Sequence, residues 1–288
     1  MEIMKIFGFV AAFWAANAFQ ACSFSGVSVS GNGERVIGSD AYVTKEVRVD
    51  AFDEIRLLGS PTVYFVQKAG KPSVKIHTSD NLADLVDVHV EDGTLHVGIK
   101  KGCQVRYKKM DIYVTSPTLE AVAVAGSGTM VLTGRLETDA LGMSVSGSGD
   151  LVGEEVVCKG DVWLSVAGSG DLSVGKVSCR QMEASVSGSG DLAVKEVIAG
   201  KAAASVAGSG DLVLSGKAVE ADFRVAGSGD LDASCLKAEQ AAASVAGSGD
   251  LKCYASDCLK ARVAGSGSIG YAGNPKGLDI SRKNVYPL

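Results

Sequence analysis

The amino-acid sequence predicts an all-β fold, a parallel β-solenoid (β-helix) that advances about 20 residues per coil. Three observations carry this. Gly-Ser-Gly recurs at residues 126, 147, 168, 188, 208, 227, 247 and 265, at spacings of 21, 21, 20, 20, 19, 20 and 18. Around each occurrence the residues alternate with the period of a strand: across Ser185–Val194, the Val, Gly and Leu residues share one parity while Ser and Asp share the other. Pro61, Pro72 and Pro117 precede the repeats and Pro275 and Pro287 follow them, with none between, as required where every interior strand donates to a neighbour on both sides. Helical repeats need more than about 30 residues, whereas two or three short strands with corners fit into about 20.

From the N-terminus, Lys5 precedes the apolar run Ile6–Ala16, which is too short to span a bilayer. The run leads to Phe19-Gln20-Ala21-Cys22, which resembles a lipobox with Phe19 where Leu is usual. Residues 1–21 are therefore expected to be a lipoprotein signal peptide and Cys22 the lipidation site, giving the chain a membrane partner through its N-terminal lipid. The expected location is the outer membrane as a lipoprotein. The absence of acidic residues between Cys22 and Glu34 leaves cell-surface and periplasm-facing placements both open. Residues 22–41, with the Ser/Gly-rich stretch Ser23–Gly33, read as a flexible tether.

Residues 42–125 read as irregular N-terminal β coils and a cap. Phe52–Gln67, Ser73–Thr78, Val86–Val90 and Leu95–Ile99 alternate well, and Asp92-Gly93 sits between two of these runs as a hairpin turn. Ile55–Val63 aligns with the repeat and carries Pro61 where the second glycine would stand, so an extended or gently bent backbone is expected at that position. Residues 126–288 then form the repeat body with a C-terminal cap. Its leucines, Leu151, Leu172, Leu192, Leu212, Leu231 and Leu251, should stack inward with Val145, Val166, Val186, Val206, Val225 and Val245. Besides Cys22 there are six cysteines, without the spacing of zinc sites and mostly in apolar strand contexts, where buried free thiols are expected.

Phe52-Asp53-Glu54-Ile55, the Val88–Ile99 hairpin, Leu119-Glu120-Ala121-Val122 and the Gly-Ser-Gly-Asp repeats together resemble the auto-transporter adhesin head domain family, also called head GIN domains. The resemblance implies a right-handed parallel β-helix and brings no catalytic residues. It also implies an envelope-anchored adhesin that binds a glycan or protein partner through the solenoid face. The alternative is a structural envelope spacer.

Other classes find little support. A net charge of −5 and the lack of a Lys/Arg stripe with interleaved aromatics argue against nucleic acid. A polysaccharide-active β-helix enzyme would need paired carboxylates in an aromatic-lined groove, yet Trp163 is the only Trp after the signal segment, so no enzyme activity and no cofactor are expected. Six repeats continue to aspartate, at Asp150, Asp171, Asp191, Asp211, Asp230 and Asp250, forming a column that could bind a ligand or cation. One Asp per coil departs from the calcium-binding nonapeptide roll, so a structural role accepting backbone N–H groups is preferred over calcium. His89 and His96 flank the Asp92-Gly93 turn and could face each other, but their parity with polar neighbours favours a solvated hairpin face over a metal pair.

Overall fold

The computed structural model describes residues 35–281 and 283–288, so the expected lipidation site Cys22 lies outside the described residues. The described residues form strands and turns with no helix. In a representative coil, Leu192–Val206, alternating burial is interrupted by two pairs of adjacent exposed residues, Lys195-Glu196 and Gly200-Lys201. These breaks and the Gly-Ser-Gly-Asp bend are the corners of a three-sided coil.

Successive coils stack in parallel register. Gly59, Gly126, Gly147, Gly168, Gly188, Gly208, Gly227, Gly247 and Gly265 form one continuous column of paired positions. Glu54–Gly59 thus belongs to the same wall as the repeats. The unequal spacing of the repeats is absorbed elsewhere: register shifts fall between Leu132 and Arg135, Val194 and Val197, and Val213 and Ser215, all near the corner after the aspartate wall. An extra or missing residue is tolerated there as a bulge, while the Gly-Ser-Gly-Asp corner stays aligned.

The interior is the expected double ladder. Leu151, Leu172, Leu192, Leu212, Leu231 and Leu251 are at most 1% exposed, and the six valines at most 2%. Burying each such side chain contributes about 1.5–3 kcal/mol. Ala202, Ala204, Ala241 and Ala243, with Phe223, line the same wall as the valines, and Val197, Ala199, Ala218, Leu236 and Ala238 fill the remaining side.

Both glycines of the repeat are needed, for different reasons. The first adopts positive φ, from +130° to +151° across Gly126, Gly147, Gly168, Gly188, Gly208, Gly227, Gly247 and Gly265, where L side chains are strained. The second has no positive φ, in keeping with Pro61 at the equivalent place, and is buried in every repeat. A Cβ there would run into the carbonyl oxygen of the matching glycine one coil earlier. That close approach is tied down by hydrogen bonds: the Gly168 carbonyl accepts both Ser189 N–H (2.8 Å) and Gly190 N–H (3.0 Å), and the pattern recurs in later coils.

At the N-terminal end the strands become antiparallel. Tyr42–Val47 pairs with Ser73–Ser79, which pairs with Met110–Ser116. Val86–Glu91 and Thr94–Ile99 form a hairpin whose Asp92 (φ 50°) and Gly93 (φ 79°) make the two-residue turn, as the Asp-Gly pair requires. Arg35–Ile37, within the stretch read as tether, forms a short parallel ladder with Gln104–Arg106. At the other end, Gly277–Ile280 and Val285–Pro287 add the final strands, and Pro287 removes one outward donor from the last edge.

All six described cysteines are free, but the expectation that they are buried fails for four of them. Cys158 and Cys253 are buried, Cys103 and Cys179 half-buried, and Cys235 and Cys258 exposed. The last two lie at outward positions of their strands, where hydrophobicity alone does not decide orientation.

Candidate binding face

The corner that closes each coil places its aspartate on the surface. Asp150, Asp171, Asp191, Asp211, Asp230 and Asp250 are all exposed, beside an equally exposed column of the middle serines of Gly-Ser-Gly. From Asp171 onward the carboxylates form a ladder. Asp171 Oδ1 accepts Asp191 N–H at 3.0 Å, Asp191 Oδ1 accepts Asp211 N–H at 2.9 Å, Asp211 Oδ1 accepts Asp230 N–H at 3.1 Å, and Asp230 Oδ1 accepts Asp250 N–H at 2.8 Å. Ser268 ends it, giving its N–H (2.9 Å) and its hydroxyl (2.8 Å) to Asp250 Oδ1.

The backbone carbonyls work in the opposite direction. Leu172, Leu192, Leu212 and Leu231 donate their N–H groups to the carbonyls of Asp191, Asp211, Asp230 and Asp250, one coil on. At this corner the side chain of one aspartate therefore supplies an acceptor for the next aspartate's N–H, and one oxygen of each is committed to the backbone. Asp150 stands at the start of the column with its N–H on the Gly128 carbonyl at 3.0 Å, and the carboxylate ladder begins one coil later.

Beyond the column, the N-terminal coils carry a feature that the residue pattern does not reveal. Tyr64 and Tyr113 stack with ring centroids 5.3 Å apart on paired strands, and Tyr42 stacks on His77 at 5.8 Å. Tyr64 lies in the alternating run Phe52–Gln67, but Tyr113 lies outside the runs read from the sequence, and the pairing of their strands depends on the register of the irregular coils. His77 is held by Thr44 Oγ1 at 3.0 Å and stands apart from the other two histidines. His89 and His96 do face each other across the hairpin, with ring centroids 5.0 Å apart.

Away from this face, Glu120 sits near a shallow depression with Gln67, Pro117 and Asp139. Burial, reinforced by Asp53, Asp139 and Glu54, holds its carboxyl above the ordinary glutamate range. Gln67 closes the depression's rim, donating to the carbonyls of Pro117 (2.9 Å) and Glu137 (2.8 Å) and accepting the Glu137 N–H (2.7 Å).

Residues 51–212 and, overlapping, 162–275 match the family described as "Putative auto-transporter adhesin, head GIN domain". The chain belongs to this family. Crystal structures similar to the chain include a "Putative lipid binding protein" from Parabacteroides distasonis, 27% identical, with a TM-score of 0.66 over 88% of this chain and 100% of that one. A "putative adhesin" from the same species is 26% identical, with a TM-score of 0.63 over 88% of this chain and 99% of the other. A "putative adhesin" from Parabacteroides merdae, 24% identical at a TM-score of 0.64, shares the fold over 88% of this chain and 99% of its own. No curated protein matches the chain.

Proposed function

We propose that this head GIN domain protein is a non-enzymatic binding module, anchored in the envelope through Cys22, that holds a glycan or protein against the long face of its solenoid. The observation that carries the reading is the face itself. Over the coils from Asp171 to Ser268, register-locked columns present the same short polar groups at each step, with one carboxylate oxygen of each aspartate tied to the backbone and the aspartates themselves exposed. Such a surface is rigid and repetitive at about 4.8 Å per coil, which suits an extended partner making many weak, similar contacts. The family description and the neighbours described as adhesins support the same class.

The description of one neighbour as lipid-binding does not alter this preference. The interior of this chain is filled by its leucine, valine and alanine ladders, so a lipid would have to be held on the surface.

A glycan and protein-ligand binding screen on residues 34–288 tests the proposal. Specific, saturable binding is expected, and its loss on replacing outward Ser and Asp residues of two adjacent coils would locate it. Complete absence of binding would favour a structural spacer. Hydrolysis of a polysaccharide that survives purification controls would overturn both. The anchor is tested separately: the Cys22→Ala chain is expected to lose membrane partitioning and the mass of the lipid.

A further inference from the structure

The hairpin at the N-terminal end gathers two of the chain's three histidines. His89 and His96 occupy directly opposed positions, and their rings are parallel within 10°. Glu91 lies two residues from His89 on the same side of its strand. One ring nitrogen of each histidine and one carboxylate oxygen of Glu91 all lie within 4.8 Å of one another. Three ligands around one ion at bond lengths of about 2.0–2.2 Å must approach somewhat closer than that. His89 and Glu91 are exposed and His96 is half-buried, so side-chain rotation can bring them in without moving the backbone.

The surroundings are those of a cation site. Asp87, two residues before His89, accepts its Nδ1–H at 3.0 Å. That hydrogen bond fixes the tautomer and leaves the Nε2 lone pair free, the arrangement that orients imidazole ligands in metal sites. On the adjoining strand, Arg56 is paired with His96, and Glu54 accepts the Thr94 hydroxyl at 3.0 Å. Three carboxylates, Asp87, Glu91 and Glu54, therefore stand against one guanidinium. The hairpin is locked by its two-residue turn and by parallel pairing of Thr94–Val97 with Glu54–Leu57, so His96 is held on a rigid element.

We infer that His89, His96 and Glu91 form a surface site for one divalent transition metal ion, of which zinc is the representative. Two imidazoles and a carboxylate suit borderline ions of the zinc, copper and nickel group, and hard ions such as calcium and magnesium would favour an all-oxygen set. Three protein ligands leave at least one coordination position open to water or to a donor group from a bound partner.

The test is zinc titration of the purified full chain, prepared without a polyhistidine tag and with its accessible thiols alkylated so that cysteine cannot bind the ion. Calorimetry is expected to show one saturable equivalent of zinc, and the His89 and His96 imidazole resonances to shift together. His96→Ala and His89→Ala should each weaken binding by more than about 100-fold, since loss of a ligand exceeds the 10–100-fold typical of losing its supporting partner. Asp87→Ala, which keeps all three ligands, should cost about 10–100-fold, a loss that a merely nearby charge would not produce. His77→Ala should change nothing. The inference is overturned if the parent takes up no zinc, or if the His89→Ala/His96→Ala chain, shown folded by circular dichroism, binds as tightly as the parent.

Discussion

The N–H of Asp211 donates to Oδ1 of Asp191, one coil earlier, at 2.9 Å. A charged side chain here completes a backbone ladder, so the part that matters for the fold is an acceptor at that place. Asp191→Asn keeps an acceptor and is expected to leave the denaturation midpoint nearly unchanged, or to raise it by relieving repulsion along the column. Asp191→Ala leaves the Asp211 N–H to water and should cost about 1 kcal/mol. Equal losses in the two variants would show that the charge, and not the hydrogen bond, is what the position requires.

Because one oxygen of each ladder carboxylate is already engaged, millimolar calcium is expected to leave the melting temperature at pH 7 unchanged. A ligand that binds only the folded state raises it by mass action. A clear rise, abolished by Asp191→Asn/Asp211→Asn, would turn the column into a cation site.

The second glycine of each repeat gives a test of coil stacking. An alanine Cβ at Gly190 would meet the Gly170 carbonyl oxygen, which is backbone and cannot move aside without separating two coils. Gly190→Ala is expected to destabilise by several kcal/mol, about 3 or more, as overpacking against fixed atoms does. Gly153 is the control. A Cβ there would find the Val174 and Met143 side chains at 3.5 and 3.6 Å, an ordinary contact, so Gly153→Ala should stay within about 1 kcal/mol of the parent. Urea midpoints of the two variants decide the matter.

How much of this was legible follows from which residues repeat. Gly-Ser-Gly-Asp-Leu fixed the coil length, the parity of every wall it touches and the inward ladders from Leu151 to Leu251, because a two-residue period leaves no freedom once one face is buried. Pro61 is in keeping with the second glycine, which has no positive φ. The two glycines of the repeat do different work, the first through positive φ and the second through close approach of stacked coils. Elsewhere the pattern runs out. Tyr64 and Tyr113 pair in parallel register, but the strands between them in the chain pair antiparallel and share no motif with the repeats. His89 opposite His96 was foreseen as a geometric possibility, but Glu91 as a third donor and Asp87 as its support appear only when side chains are placed.

Thiol reactivity should follow burial. Burial pushes the Cys179 and Cys253 thiols up to about 12, so almost no thiolate exists at pH 8. Cys235 and Cys258 are exposed. Iodoacetamide at pH 8, read by peptide mass spectrometry, is expected to modify Cys235 and Cys258 first and to leave Cys253 unmodified until the chain is denatured. Early modification of Cys253 would mean that the final coils open locally in the native state.

Glu120 gives the pH prediction. Its carboxyl is held above the ordinary value of 4.5, first by burial and then by the charges of Asp53, Asp139 and Glu54. The folded chain therefore holds this proton more tightly than the unfolded chain does. The stability this provides is fully present below the unfolded value and is lost as pH rises through the folded one. At neutral pH the ionised Glu120 is thus a cost to the fold, and Glu120→Gln removes it. The residue is exposed, so solvent limits the gain to less than about 1 kcal/mol. Thermal melts of parent and variant should show Glu120→Gln ahead at pH 7 and level with the parent at pH 4. Asp40, Asp84 and Asp279, whose carboxyls are held low by Lys108, Lys45 and Arg262, act in the opposite sense. They are common to both chains, and comparison at each pH cancels them. A variant less stable than the parent at pH 7 would show that Glu120 is held by a favourable contact that outweighs its burial and its acidic neighbours.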